Sequence, residues 1–318
     1  MQSCFCARSR KVTLAKARKA LLIGCNYPGQ AEELESCVGD CLKVRGWLQG
    51  FGYECTLLRD DQPDKSLEGF GTRTNCCTRS FGSRPTRTNI IAALKALIAW
   101  ANEEPGREIW VHYSGHGVGV QDREGDESDG QDEALVPTDF STKGVIVDDV
   151  LTQMVSELRC NASAMFVFDC CHSGSMIDLP FVLDYKTKLA ALFGMLWTTG
   201  GSAVGKGIDK RSADERLRSA SAAVDANVYV LSGCQDPQVS VETMYNGGAL
   251  TAALLKVMQP DDTPRGLLSK LHRHLILTGG YIQIPEFSSS KSIKTMIPLP
   301  FLSRPTEGKQ RVAMLEEM

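Results

Sequence analysis

No stretch of this chain is apolar enough to cross a bilayer. Its longest apolar stretches, such as Ala162 to Phe168, fall far short of the roughly 20 residues a membrane-spanning helix needs. An excess of one charge is missing too: 35 Lys and Arg against 38 Asp and Glu leave a net charge of -3, too little to gather nucleic acid or another polyanion. The basic N-terminus, MQSCFCARSRKVTLAKARK, has no continuous apolar region of the secretory type. Its 12 cysteines are dispersed over 318 residues rather than concentrated as in a disulfide scaffold, and Cys25 and Cys55 fall inside strand-like runs. A reducing, cytoplasmic setting is therefore expected. Two readings of the N-terminus stand, a mobile arm and an organelle-targeting sequence. There are no internal repeats, and adjacent Cys170, Cys171 and His172, with no CxxC elsewhere, are poorly spaced to form one zinc tetrahedron.

What remains is an ordinary globular composition, 42% hydrophobic and 23% charged. Short apolar runs alternate with stretches of helical period: Ala20 to Cys25 then Glu32 to Gly50, and Tyr53 to Leu58 then Thr88 to Asn102. Glu108 to Tyr113, Ala164 to Asp169 and Val228 to Ser232 read as strands buried on both faces. The alternation predicts an α/β domain, a parallel sheet covered by helices, whose ligands bind beyond the carboxyl ends of the strands. Gln62 to Arg84, Gln121 to Glu133 and Thr198 to Gly207 read as loops or insertions. The last separates a larger N-terminal region from one with a further strand and helix candidates at Gly248 to Met258 and Pro264 to Leu277.

Two of these strands end in reactive groups. Glu108 to Tyr113 leads into Ser114-Gly115-His116-Gly117, and Ala164 to Asp169 leads into Cys170-Cys171-His172-Ser173-Gly174. A thiol becomes a good nucleophile once an imidazole removes its proton, and the same imidazole can later protonate a leaving amine. Glycines on both sides of His116 allow a tight turn and a close approach by substrate. The histidine lies 55 residues upstream of the cysteine (171 minus 116), the caspase order and not the papain order. Because neighbours on an extended segment point to opposite sides, His172 reads as a bystander.

YSGHG at Tyr113 to Gly117 and DCCHSGSMIDLPF at Asp169 to Phe181 resemble the two signatures of type I metacaspases, in particular the trypanosomatid members. ALLIGCNY at Ala20 to Tyr27, PTRTNI at Pro85 to Ile90, DEALVPTDF at Asp132 to Phe140 and SGCQD at Ser232 to Asp236 extend the resemblance from Ala20 to about Ile293. It implies a caspase-like, mostly parallel β-sheet with helices on both faces, an α/β/α sandwich. A single domain is expected over 20–293, with large- and small-subunit-like regions joined by a linker at 198–225, an N-terminal arm at 1–19 and a tail at 294–318. The activity implied is a cysteine endopeptidase with Cys171 as nucleophile and His116 as acid-base partner.

The resemblance also implies cleavage of peptides and proteins after Arg or Lys, with the basic side chain held by Asp40, Ser114 and Asp169 and with Cys37 nearby. Carboxylates would attract a guanidinium or ammonium group and repel an acidic one. Without the resemblance, Asp40 reads as a solvated helix-surface carboxylate. The chain departs from the usual Gly-Cys-x-Asn-Asp with Ser36-Cys37-Val38-Gly39-Asp40, which touches the pocket's hydrogen bonds and not its charge. By the same resemblance Asp132, Asp148, Asp149 and Asp178 would ligate calcium, a hard cation that takes six to eight oxygens. The acidic run Asp122, Glu124, Asp126, Glu127, Asp129 lacks the EF-hand spacing and reads as a solvated loop.

A monomer is implied, with an N-terminal arm able to lie across the site. Lys186, Lys188, Lys206, Lys210 and Arg211 are candidate positions for self-cleavage. Two other functions are weighed and set lower. A non-cleaving scaffold is disfavoured because both reactive residues are present, and a nucleotide-binding loop at Gly200 to Gly207 lacks the Ser or Thr that would hold magnesium.

Overall fold

The computed structural model describes residues 17–67, 81–121, 131–159, 162–170, 176–177, 179–183, 224–233, 242–243, 247–275, 285–292 and 297–303. In chain order the elements are β1 (Arg18–Gly24), α1 (Cys37–Gln49), β2 (Glu54–Arg59), β3 (Ser66–Leu67), β4 (Phe81–Gly82), α2 (Arg87–Ala101), β5 (Glu108–Ser114), β6 (Gly117–Gln121) and β7 (Gln131–Leu135). They continue as α3 (Phe140–Lys143), β8 (Ile146–Val147), α4 (Asp148–Ser156), β9 (Ser163–Asp169), β10 (Phe181–Leu183), β11 (Asn227–Ser232), β12 (Glu242–Thr243), β13 (Gly247–Gly248), α5 (Ala249–Val257), α6 (Pro264–Arg273) and β14 (Glu286–Ser289). A short 3-10 helix covers Pro300–Leu302.

The main sheet has seven strands in the order β10-β14-β11-β9-β5-β1-β2. Its β11-β9-β5-β1-β2 portion is parallel throughout, and β14 and β10 add antiparallel pairings at one side. Every residue of β1 and β5 is buried, as their continuous apolar runs require of strands covered on both faces. Alternate residues serve opposite faces. Leu21 and Ile23 pack with Ile90, Leu94 and Leu97 of α2 and with Leu151 of α4. Ala20 and Leu22 pack on the other side with Val44 and Leu48 of α1, Leu250 of α5 and Leu267 of α6. The architecture is thus an α/β/α sandwich, the expected class. Among the described residues no helix is long and apolar enough to cross a membrane.

Helix starts reflect local chemistry. The Thr86 side chain accepts from the Asn89 amide and opens α2. Thr263 does the same for Gly266, with Pro264 supplying a preset first residue of α6. The predicted helical stretch from Glu32 becomes helix only at Cys37.

Several expectations are revised by the fold. The predicted loop Gln121 to Glu133 is flanked by strand: β6 ends at Gln121, β7 begins at Gln131, and with β8 they form a small separate sheet. The C-terminal region adds β14 as well as β11, because the short polar run EFSS pairs antiparallel with β11. The core also reaches beyond 20–293. Arg18 and Lys19 begin β1, while Leu299, Phe301 and Leu302 are buried. Arg18 ties these ends together, its guanidinium donating to Glu108 at 2.7 Å and to the carbonyls of Phe51 at 2.8 Å and Ser303 at 2.6 Å. Residues 1–16 of the expected arm, the run Asp122 to Asp129, the self-cleavage candidates and the Gly-rich stretch at 198–207 lie outside the described residues.

Phe301 meets Trp110 and Tyr229 edge-on, with ring centroids 6.2 and 5.7 Å away. Phe301→Ala is expected to cost about 3–5 kcal/mol, read as a lower urea midpoint at unchanged slope. An unmoved midpoint would show that this tail segment is not part of the cooperative core.

Candidate active site

Parallel register sets where the reactive residues emerge. Gly24 is aligned with Ser114, and Ser114 with Asp169, so β1, β5 and β9 end side by side. His116 comes two residues after β5, on the turn into β6. Asp169 closes β9, the neighbouring strand about 4.8 Å away, and Cys171 follows it by two residues in the sequence. Cys171, His172 and Asp178 themselves lie outside the described residues.

His116 is held from several directions. Its Nε2 lies 2.8 Å from the Glu32 carbonyl oxygen. A carbonyl can only accept, so Nε2 carries the hydrogen and Nδ1 keeps a lone pair able to take a proton. The backbone amide of His116 donates to the Tyr27 hydroxyl at 2.9 Å, and its carbonyl accepts from the Tyr113 hydroxyl at 2.7 Å. The rings of Tyr27 and His116 lie 5.0 Å apart, tilted by 33°. The Tyr27 hydroxyl donates in turn to the Val136 carbonyl at 2.7 Å.

Tyr27 occupies the left-handed region at φ 53°, a costly backbone for a bulky residue. Asp60 holds it there. That buried carboxylate accepts from the Asn26 amide at 2.9 Å and the Tyr27 amide at 2.7 Å, while burial raises its pKa. Gly115 is required for space, since a Cβ there would stand 2.7 Å from the Tyr113 hydroxyl and 3.0 Å from that of Tyr27. Sequence reasoning finds His116 but neither Tyr27 nor Asp60. The only signal is the position of Tyr27 at the end of the ALLIGCNY match.

The four pocket residues come together in part. Asp40 in the first turn of α1, Ser114 and Asp169 at the strand ends and Cys37 are all buried. The expectation for Asp40 taken without the resemblance, a solvated carboxylate, is corrected: it is 1% exposed. Burial pushes its pKa up to about 6, the charge of Asp169 adds to this, and a 2.6 Å hydrogen bond from the Gly248 amide and the ion pair with Lys43 oppose it. Asp169 is also raised, first by burial, against hydrogen bonds from Thr251 and Leu250. Its Oδ2 accepts from the Thr251 amide at 2.8 Å, whereas its buried Oδ1 has no hydrogen-bond partner among the described residues. An orphaned carboxylate oxygen beside a second buried Asp favours a cation placed between them.

A second acidic group lies at the junction of β7 and α4. Carboxylate oxygens of Asp132, Asp148 and Asp149 all fall within 4.8 Å of one another, a grouping that stands alone among the described residues. Calcium binds oxygen at about 2.3–2.6 Å, so two of its ligands lie up to roughly 5 Å apart. The all-oxygen donor set fits such a hard cation and not zinc. Asp148 is oriented by the Glu133 amide at 3.2 Å and the Asp149 amide at 2.8 Å.

Tyr27→Phe keeps the ring against His116 but removes the acceptor of the His116 amide and the donor to Val136. Turnover of a peptide substrate is expected to fall about ten- to a hundredfold through misplacement of the imidazole. Steady-state kinetics at unchanged thermal stability checks this, and wild-type turnover would remove Tyr27 from the site.

The sequence profile described as metacaspase, peptidase C14 domain, matches residues 18–180. Metacaspase-1 of Saccharomyces cerevisiae is 33% identical over 314 residues, covering 87% of this chain and 67% of the yeast protein. Metacaspase-1 of Yarrowia lipolytica is 32% identical over 309 residues, covering 86% of this chain and 61% of that protein. The crystal structure of protein GSU0716 from Geobacter sulfurreducens superposes with a TM-score of 0.57 at 21% identity, covering 92% of this chain and all of that one, a likeness of fold. The chain belongs to the metacaspases, cysteine endopeptidases of the peptidase C14 class.

Proposed function

We propose that this metacaspase cleaves peptide bonds after Arg or Lys in a calcium-dependent manner, with Cys171 as nucleophile and His116 as its acid-base partner. The observation that carries the reading is the pair of buried carboxylates, Asp40 and Asp169, with one Asp169 oxygen unpartnered among the described residues. A guanidinium or ammonium entering between them would pair with that oxygen and relieve the repulsion of two like charges. An acidic side chain would add a third negative charge.

The chemistry stems from the tautomer of His116. Its Nδ1 takes the Cys171 thiol proton, the thiolate attacks the carbonyl carbon after the basic residue, and the amide C–N bond breaks as the imidazolium returns the proton to the leaving amine. Water then hydrolyses the thioester with His116 as base, which releases the acid and restores the thiol. The Glu32 carbonyl, fixed on Nε2–H, holds the ring in the productive tautomer throughout.

Asp132, Asp148 and Asp149 would hold calcium together with Asp178. When bound, the cation would supply positive charge that offsets three crowded carboxylates. On the same reading the enzyme is a cytoplasmic monomer that acts on proteins and cuts its own linker.

Arg-, Lys- and Asp-ended fluorogenic peptides, titrated with calcium beside Cys171→Ala, test the proposal. Hydrolysis of the basic peptides alone, lost in chelator and in the variant, is expected. Asp148→Asn should raise the calcium needed for half-activity at least about tenfold by removing one charged ligand. Equal rates with and without chelator would end the calcium reading, and cleavage of the Asp peptide the pocket reading.

Asp40 adds a pH test. Its raised pKa, about 6, means that it gains a proton and loses its charge as pH falls from 7 to 5. The inhibition constant of an amidine competitor such as benzamidine should therefore rise roughly tenfold per pH unit below that value. Asp40→Asn should weaken binding and flatten the profile; an unchanged slope would exclude Asp40 as the titrating group.

A further inference from the structure

His112 has no role in the chemistry above, yet it is fully buried in the middle of β5. Alternation along the strand puts it on the same face as Trp110 and Ser114, and Trp110 packs in the core with α1 and α5. An imidazole among apolar neighbours is costly unless it hydrogen-bonds. Among the described residues its one polar contact is Nε2 to the Thr251 hydroxyl at 3.1 Å, and Nδ1 has no partner. Burial drives its pKa down to about 3, so the ring is neutral and carries a single hydrogen.

Only one arrangement of hydrogens satisfies the group. With the hydrogen on Nδ1, a buried N–H would be orphaned and the Thr251 hydroxyl would have to donate to Nε2. With the hydrogen on Nε2, His112 donates to Thr251 Oγ1, whose own hydrogen is free for the Asp169 carboxylate. The atom left bare is then a nitrogen lone pair and not a donor. A hydroxyl donating to a carboxylate makes the stronger, charge-assisted bond. Thr251 also offers its amide to Asp169 Oδ2 at 2.8 Å, from the first turn of α5, where amides lack intrahelical acceptors and the helix dipole favours an anion. The Thr251 side chain acts on the same carboxylate, lowering its pKa alongside the amide.

We infer that Thr251, oriented by His112, is the positioning residue of the specificity pocket: it engages Asp169 Oδ2 so that Oδ1 is left for the basic side chain of the substrate. The inference rests on the Arg/Lys reading of the pocket. Gly248 completes the arrangement. Its amide reaches Asp40 Oδ2 at 2.6 Å, and a Cβ at this position would fall 2.1 Å from Asp169 Oδ2. One short segment, β13 and the first turn of α5, thereby holds both carboxylates, and it comes from the part of the chain beyond the linker.

The test is steady-state kinetics of the full chain in saturating calcium on Arg-, Lys- and Leu-ended peptides. Thr251→Val keeps shape and amide but removes the hydroxyl. It is expected to raise KM for the basic peptides about tenfold, as loss of a hydrogen bond to a charged group does, with kcat changed far less and the preference over Leu narrowed accordingly. Thr251→Ser should restore both. His112→Phe should resemble Thr251→Val, and the double variant should be no worse than either single one, because both break the same chain of hydrogen bonds. The Val and Ser pair decides the matter if His112→Phe does not fold. A Thr251→Val enzyme with wild-type KM and preference, or a defect that Ser does not rescue, overturns the inference alone. A wild-type enzyme without preference for Arg or Lys overturns the pocket reading together with it.

Discussion

Three parallel strands ending at one level is the constraint on which the site depends. The register Gly24, Ser114, Asp169 fixes the carboxyl ends of β1, β5 and β9 in a row. The residues at and just beyond these strand ends are then delivered to the same edge: Tyr27 after β1, His116 after β5 and Asp169 at the end of β9. A slip by one residue would exchange the two faces of each strand, and side chains fitted to two different packed layers leave no room for such an error. Precision at the site therefore comes from the core, from Leu21, Ile23, Trp110 and Phe166 and not from the reactive residues.

On that frame the site is assembled from buried polar groups that hold each other. Asp60 fixes the left-handed Tyr27, Tyr27 and Tyr113 fix the backbone of His116, and Glu32 selects its tautomer. Each hydroxyl in this chain both gives and takes, so removal of one leaves a partner unsatisfied. The pocket repeats the logic with carboxylates. Asp40 and Asp169 are tolerated inside because the amides of Gly248 and Thr251 answer one oxygen of each, while the remaining repulsion is what a cationic side chain would relieve.

The frame is legible in the sequence because buried parallel strands write themselves as unbroken apolar runs. β1, β5, β9 and β11 all read this way, whereas the helices capped by Thr86 and Thr263 show instead as stretches of helical period. Strands whose burial comes from pairing and not from apolar content do not. EFSS of β14 is half serine, and β6 and β7 flank an acidic run that resembles a loop. The grouping of Asp40 with Asp169 is legible only through the family resemblance, since they stand on a helix and a strand far apart in sequence. Tyr27 is invisible because its role lies in a backbone angle and a hydroxyl direction that no residue pattern encodes. His112 reads as one more member of an apolar strand, and only its contact with Thr251 gives it meaning.

On the proposed reading, the two groups of aspartates set one residue type to different tasks. At Asp40 and Asp169 the neighbours are backbone amides at the start of α5 and a lysine reaching in from solvent, which partly answer the charge and leave a defined gap. At Asp132, Asp148 and Asp149 the carboxylate oxygens crowd within 4.8 Å of one another, and the amides of Glu133 and Asp149 orient Asp148. An organic cation with directional donors suits the first arrangement, because a fork of N–H groups matches an oxygen held at a fixed angle. A small, hard, non-directional cation suits the second, because it needs many oxygens and no particular donor geometry.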